Sequence, residues 1–462
     1  MYESAEKGPT GSDRAPAQTS AAWARPRGIE RWGIGLFILC ALAFGAIVEM
    51  RSAFLHARMT DLDVYLRAAW AVRTGHDPYT VTDDRGLHYH YPPLFAIVLI
   101  PLADAPHGYS RSGMLPYATA VVLWYVLNLL FVAFAANHLA NALERAAAEH
   151  RSGIPPPGSR SWWSLRLLPA LICIGPLGVA LERGQADLLL LALLCAMICA
   201  IMAGRSGAAG WCLAGAICLK LFPAYLLIYP LWRRDLRLIA SCALGLVLGL
   251  VVIPAAFFGP ATAISYAREW NHVLIQPALL NGTDRSRAGE LLDINATDSQ
   301  SFVALVHRWY NLDETLRLPR SLRSRPLEAW ATPAHWAISI FLTALTLLAA
   351  RWRPRGSPLD EELFLGSLAI IMVLSSPVSH LHYVNLAVPL AMGLVMVGRG
   401  DAVYPGRKWI WLFAAVAACG VLPLIPGLEV LRDLGLEGFA ALALWGVGTT
   451  ALRRSVQPAG LA

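Results

Sequence analysis

The chain has 462 residues, is 56% hydrophobic and 15% charged, and carries a formal net charge of +7. Soluble domains carry about 25% charged residues, so this balance excludes an ordinary water-soluble globule and points to repeated membrane crossing. The basic residues lie in short links between apolar runs rather than on a face interleaved with aromatics, which excludes nucleic acid as a partner.

Residues 1–30 are polar and rich in Ala, Pro, Ser and Gly, and are expected to form a disordered cytoplasmic tail. Arg25, Arg27 and Arg31 precede the first apolar run, Trp32 to Met50. Its length, and the Glu49 and Arg51 that end it, predict a retained first span rather than a cleaved signal. Next comes Met59 to Pro93, the first stretch equipped for chemistry: it carries Asp61, Asp63, several tyrosines and the run His88-Tyr89-His90-Tyr91. Apolar positions at Leu62, Tyr65, Leu66, Ala69, Trp70 and Val72 repeat with helical period. They predict an amphipathic helix lying in the membrane interface, with Asp61 at its N-terminal end. Pro92 to Leu102 is too short to span comfortably and is expected to dip in without crossing.

Basic links then set the orientation. They lie at Arg145 to Arg166, at Arg205, at Arg233-Arg234-Arg237, at Arg351-Arg353-Arg355, at Arg399-Arg407-Lys408 and at Arg453-Arg454. Placing all of them inside gives about twelve crossings with both termini cytoplasmic. That path requires Gly207 to Trp232 to hold two short helices that break near Lys220 and Pro223, since proline cannot continue the amide ladder. The eight cysteines all sit in apolar runs. They read as packing residues, not as a disulfide framework or a metal site.

On this path five polar pieces share the non-cytoplasmic side: the Met59–Pro93 loop, the Glu182-Arg183-Gly184-Gln185 turn, the Lys220 break, the stretch 259–333, and Ser375 to His382. Such convergence fits an active site better than a scaffold. Asp61 reads either as a helix cap or as a general base. Lys220, charged amid apolar neighbours, reads either as a snorkelling lysine or as a cation for a lipid phosphate. Arg183 and Gln185 flank a glycine that turns the chain, and also suit phosphate or sugar hydroxyls. His380 and His382 have no adjacent acid, so a hydrogen bond to a catalytic carboxylate is preferred over zinc. The tyrosines and histidines at 88–91 read as interfacial aromatics ahead of Pro92. No phosphate loop, nucleophile elbow or paired-histidine metalloprotease motif is present, so no nucleotide cofactor and no metal are expected.

The ordered motifs resemble one family. They are Asp61-Leu62 with Val64-Tyr65, Gly75 to Tyr79, Tyr91 to Leu94, Gly184-Gln185, Lys220 with Pro223 and Arg233-Arg234, Ser299 to Ser301 with Arg308, and Ser376 to Ser379 with His382. Together they resemble the polyprenol-phosphate-mannose-dependent mannosyltransferases of glycosyltransferase family 87, within the GT-C superfamily. Departures from the family pattern are Asp187 in an Asn place, Ser299 in an Asn place, and His380-Leu381-His382-Tyr383 where the family has Trp-x-His-His.

The resemblance implies an all-α polytopic GT-C-type fold over residues 31–454, followed by a short cytoplasmic tail at 455–462. It implies a polyprenyl-phosphate sugar donor, a lipid or glycan acceptor, membrane lipids around the protein, and inverting transfer at the outer face of the cell (inner) membrane. Asp61 maps to the catalytic aspartate, and His382 is expected to orient it. Lys220, Arg183, Gln185, Asp63, Tyr65, Tyr91, Arg308 and His380 are expected to bind substrate. The competing reading is a transporter or flippase that uses Lys220 and Asp187 as an intramembrane path.

Overall fold

A computed structural model describes residues 28–55, 58–148, 154–276, 290, 298–323, 325–352, 355–400 and 406–455. The two terminal tails fall almost wholly outside these, as do Arg151 and Arg353 of the basic links. Among the described residues the regular structure is helical, with no strand and one isolated bridge between Thr82 and His88. Five helices are long and apolar enough to cross a membrane, or six if one pair bent by 68° counts as a single span. Together they make the chain a multi-pass membrane protein.

The first helix, α1 (Gly28–Glu49), continues through a π-turn to Phe54. Leu36, Leu39, Leu42 and Ile47 on it are exposed, as a lipid-facing span requires. Next comes α2 (Thr60–Thr74), closed by Gly75 at φ +77, a left-handed cap that a Cβ would strain. The sequence predicts one wet face for this helix. The structure buries it all round: Leu62 through Val72 are all buried, including Asp63 and Arg67. Period alone cannot separate the two cases, because the polar face is covered by this chain's own loop. The loop returns through α3 (Pro93–Val98) and a 3-10 turn at Ile100–Leu102, too short to cross, as read from Pro92 to Leu102.

The long span α4 (Tyr117–Ala148) packs on α7 (Asp187–Met202). Between them run α5 (Arg160–Ile172) and α6 (Ile174–Arg183), the bent pair. The α6 helix ends on Gly184 at φ +69, whose N–H and that of Gln185 return to the last turn. A Cβ at Gly184 would stand 2.6 Å from the Cβ of Leu62, so this turn presses directly on α2. After α8 (Ser206–Leu219) the chain is extended at Lys220, with φ −143 and ψ 144. It resumes as a 3-10 turn over Phe222–Leu227 and then a helix over Ile228–Arg233. The two short helices expected across Gly207 to Trp232 are thus present, broken where Pro223 forbids continuity.

At the centre lie Pro358–Ser375 and Leu381–Arg399, both almost wholly buried in protein. The first starts with a capping box, in which Ser357 and Asp360 serve each other's backbone N–H. The segment linking these two helices delivers His380, and the first turn of the second delivers His382, to the same end of the bundle as α2.

Candidate active site

The site is built from five places in the sequence. The N-cap of α2 is Met59, without a side-chain cap bond, so Asp61 lies inside the first turn. Its carboxylate does not cap. Instead Oδ2 accepts from Arg183 Nε at 2.8 Å. Arg183 is the last residue of α6, and its Nη1 lies 3.9 Å from Asp298. Asp298 in turn accepts from His380 Nδ1 at 2.8 Å. Burial works against the Asp298 carboxylate, but the hydrogen bond from His380, with Arg183 beyond, holds it well below the usual carboxylate range.

A second line of contacts runs beside the first. Tyr65 lies one helical turn after Asp61 and so shares its face. Its hydroxyl stands 2.8 Å from that of Tyr91 and donates to Gln185 Oε1 at 3.0 Å. The same Gln185 oxygen accepts from Lys220 Nζ at 3.1 Å. Lys220 also pairs with Asp187 Oδ1 at 2.5 Å, and its ammonium sits 4.3 Å from the Tyr383 ring centroid. Asp187 Oδ2 lies 3.3 Å from His382 Nε2. The rings of His380 and His382 stack with centroids 5.5 Å apart, which joins the two lines. Lys220 is 5% exposed and is turned inward, so it does not snorkel. A buried ion pair needs this full set of partners to offset its desolvation.

Several expected residues fall elsewhere. His382 is paired with Asp187 and not with Asp61. It is His380 that meets an acid of the Asp61 line, through Asp298. Asp63, two residues past Asp61, points to the opposite side of α2. It pairs with Arg58 at 2.8 Å, and Arg58 also bonds Asp84 and Asp104. That network ties the loop to α2, and burial, only partly offset by Arg58 and Arg67, raises the Asp63 carboxyl to about 6. Arg308 donates to the backbone oxygens of Ala304 and Ser299. It therefore braces the Ser299–Ser301 segment, and burial lowers its guanidinium to about 10. The 88–91 run is not an interfacial belt. Tyr89 is buried and donates to Pro92 O at 2.7 Å, and His88 bonds Glu290 at 2.7 Å.

Two acids stand in the cluster without having been expected there as substrate or catalytic groups. Asp187 was visible as the polar residue after Gly184-Gln185, at the start of an apolar helix, where the helix dipole favours an acid. Asp298 carried no signal of its own beyond preceding Ser299-Gln300-Ser301. Among the described residues no group of three or more His, Cys, Asp or Glu is arranged to hold a metal ion.

Lys220, Tyr91 and Tyr383 form the polar end of a cavity of about 680 Å³. Away from them its walls are mostly apolar, with Phe222, Ile228, Leu274, Trp336, Ile340 and Leu347 beside a few hydroxyls such as Ser339 and Thr343. The cavity therefore joins a buried cation to a greasy channel between helices.

The chain is similar to two curated proteins called polyprenol-phosphate-mannose-dependent alpha-(1-2)-phosphatidylinositol mannoside mannosyltransferase. The one from Mycolicibacterium smegmatis is 27% identical over 377 residues, 78% of this chain and 73% of that one. The one from Mycobacterium tuberculosis is 26% identical over 307 residues, 62% of this chain and 66% of that one. Among solved structures, ArnT from Cupriavidus metallidurans bound to undecaprenyl phosphate aligns at 15% identity and a TM-score of 0.38, over 91% of this chain and 77% of that one. Residues 89–377, more than half of the chain, match glycosyltransferase family 87, and the chain belongs to that family as a membrane hexosyltransferase.

Proposed function

We propose that this protein moves a hexose, mannose, from a polyprenyl-phosphate donor to a lipid or glycan acceptor at the extracytoplasmic face of the cell membrane, inverting the anomeric centre. The observation that carries the reading is the cavity: an apolar channel that ends on Lys220, with Asp61 one contact network away. An isoprenoid chain suits the apolar walls, and a phosphate suits the ammonium at their end. The two similar mycobacterial proteins are named for a polyprenol-phosphate-mannose donor, which supports mannose here. The topology that goes with this reading is of GT-C type, with about twelve crossings and both termini cytoplasmic.

In the reaction, the acceptor oxygen forms a bond to the anomeric carbon while the bond from that carbon to the phosphate oxygen breaks. Asp61 takes the acceptor hydroxyl proton, and the phosphate leaves with the electron pair. Lys220 and Arg183 supply the positive charge that the leaving phosphate needs. Arg183 pairs with Asp61, and the donor phosphate competes for that cation, which frees the carboxylate to act as base. His382 steadies Asp187, which in turn positions Lys220. Single displacement from the face opposite the phosphate inverts configuration, by the geometry that also governs inverting glycosidases. The proposal needs no metal and no cofactor.

The test is direct. Purified protein is incubated with polyprenyl-phosphate-mannose and a panel of membrane lipid acceptors, with and without EDTA, and the products are read by mass spectrometry. Mannosylated product that persists in EDTA is expected. Absence of product with every acceptor, together with transport of the donor lipid across vesicles, would replace the enzyme reading with the flippase one.

A further inference from the structure

Asp298 lies directly before Ser299-Gln300-Ser301, and His380 directly after Ser379. These two segments, eighty residues apart, are joined by their backbones. Gln300 N donates to Ser379 O at 2.5 Å, and Ser379 N donates to Ser299 Oγ at 3.3 Å. Gln300 is anchored in turn: its side-chain oxygen accepts from Gly438 N at 3.2 Å and its amide donates to Arg432 O at 3.0 Å. Ser301 caps the helix Phe302–Tyr310 through Ala304 N. The meeting of Asp298 with His380 is thus set by backbone pairing and not by two loose side chains. Both side chains are mostly buried, at 14% and 13% exposed.

We propose that Asp298 is a positioning residue of the transfer site that acts through His380, presenting the Nε2 of that ring as an acceptor for a sugar hydroxyl. An ionised carboxylate can only accept, so the 2.8 Å contact makes Nδ1 the donor. In the neutral ring the proton is then held on Nδ1 and the open lone pair is on Nε2. A nitrogen in that state suits a hydroxyl and repels a phosphate oxygen, which sorts the two halves of the donor: phosphate to Lys220 and Arg183, sugar to His380. The other Asp298 oxygen faces Arg183 at 3.9 Å, so one carboxylate aligns the sugar-side acceptor with the phosphate-side cation. Stacking on His382 limits rotation of the ring.

This inference rests on the proposed reaction, and its test separates the two. Asp298→Asn keeps the shape but lets an amide N–H face Nδ1, which releases the proton to Nε2. Its kcat for mannose transfer is expected to fall about tenfold or more, the scale on which hydrogen-bond partners that orient a binding histidine matter at metal sites. Binding of the sugar-free polyprenyl phosphate should stay within about twofold. Asp298→Glu should recover part of the loss. The double variant Asp298→Asn with His380→Gln should be no slower than His380→Gln alone. Wild-type kcat in Asp298→Asn, or losses that multiply in the double variant, would overturn the proposal. So would equal loss of melting temperature and lipid binding in the Asn and Glu variants, which marks a merely structural acid. Full transfer by Asp61→Asn would instead remove the reading of the reaction itself.

Discussion

Arg183 Nε donates to Asp61 Oδ2 at 2.8 Å across a sequence separation of 122 residues. The pair joins the first turn of α2 to the last residue of α6, so the group proposed as base rests against the cation proposed for the leaving phosphate. In the proposed reaction this carboxylate becomes available when the donor phosphate draws the cation away.

Replacing Asp61 with Asn should therefore abolish transfer, by about a hundredfold to ten-thousandfold for loss of a general base, while leaving expression and polyprenyl phosphate binding near wild type. Single-turnover assays beside a lipid-binding assay will read both. Near-normal turnover would assign the base elsewhere.

The turn at Gly184 should tolerate no side chain. Ala there adopts a left-handed backbone at a cost of about 1–2 kcal/mol, and its Cβ would meet Leu62 at 2.6 Å. Because the turn sits between Arg183 and Gln185, Gly184→Ala should lower both melting temperature and kcat. A variant with unchanged kcat would show that α2 and α6 adjust independently of the site.

Lys220→Met leaves Asp187 buried with its cation gone. Loss of one partner of a buried pair costs about 3–5 kcal/mol, so this variant should be strongly destabilised in detergent melts. The double variant Lys220→Met with Asp187→Leu should regain most of that stability and remain inactive. If the double variant melts as low as the single, the pair is not the source of the cost.

Asp63 provides a pH signature. Its folded carboxyl is raised to about 6, against about 3.9 in an unfolded chain. The folded state therefore holds this proton more tightly. Stability from this residue is complete below about pH 4 and is lost as pH rises through 6, by about 3 kcal/mol in all. Asp63→Asn should flatten the melting curve over that window relative to wild type. Parallel curves for the two proteins would remove Asp63 as the source.

The cavity gives a prediction in chain length. Ala224 lines it, and Ala224→Trp puts a ring where isoprenoid carbons would lie. The KM for a long-chain donor should rise about tenfold, near the worth of two buried methylenes, while a donor with a very short chain should be affected little. Equal effects on both donors would place the lipid chain outside this cavity.

Much of this protein is legible in the one-dimensional pattern. The apolar runs and their basic links dictate a helical multi-pass chain, because lipid leaves the backbone few other ways to satisfy its amides. Pro223 and the charge at Lys220 mark the broken span, and Gly184 marks a turn, since each acts through its own local geometry. Other features are set by which surfaces meet. Whether α2 has a wet face depends on the loop that folds over it, which is why Asp63 and Arg67 are buried despite an amphipathic-looking period. Which acid each histidine meets depends on the backbone pairing of Ser299-Gln300 with Ser379, and no short-range rule in the sequence encodes that register. Local propensity therefore chose the helices and their breaks, while long-range packing chose the partners: Asp298 for His380, Asp187 for His382 and Lys220, and Arg183 for Asp61.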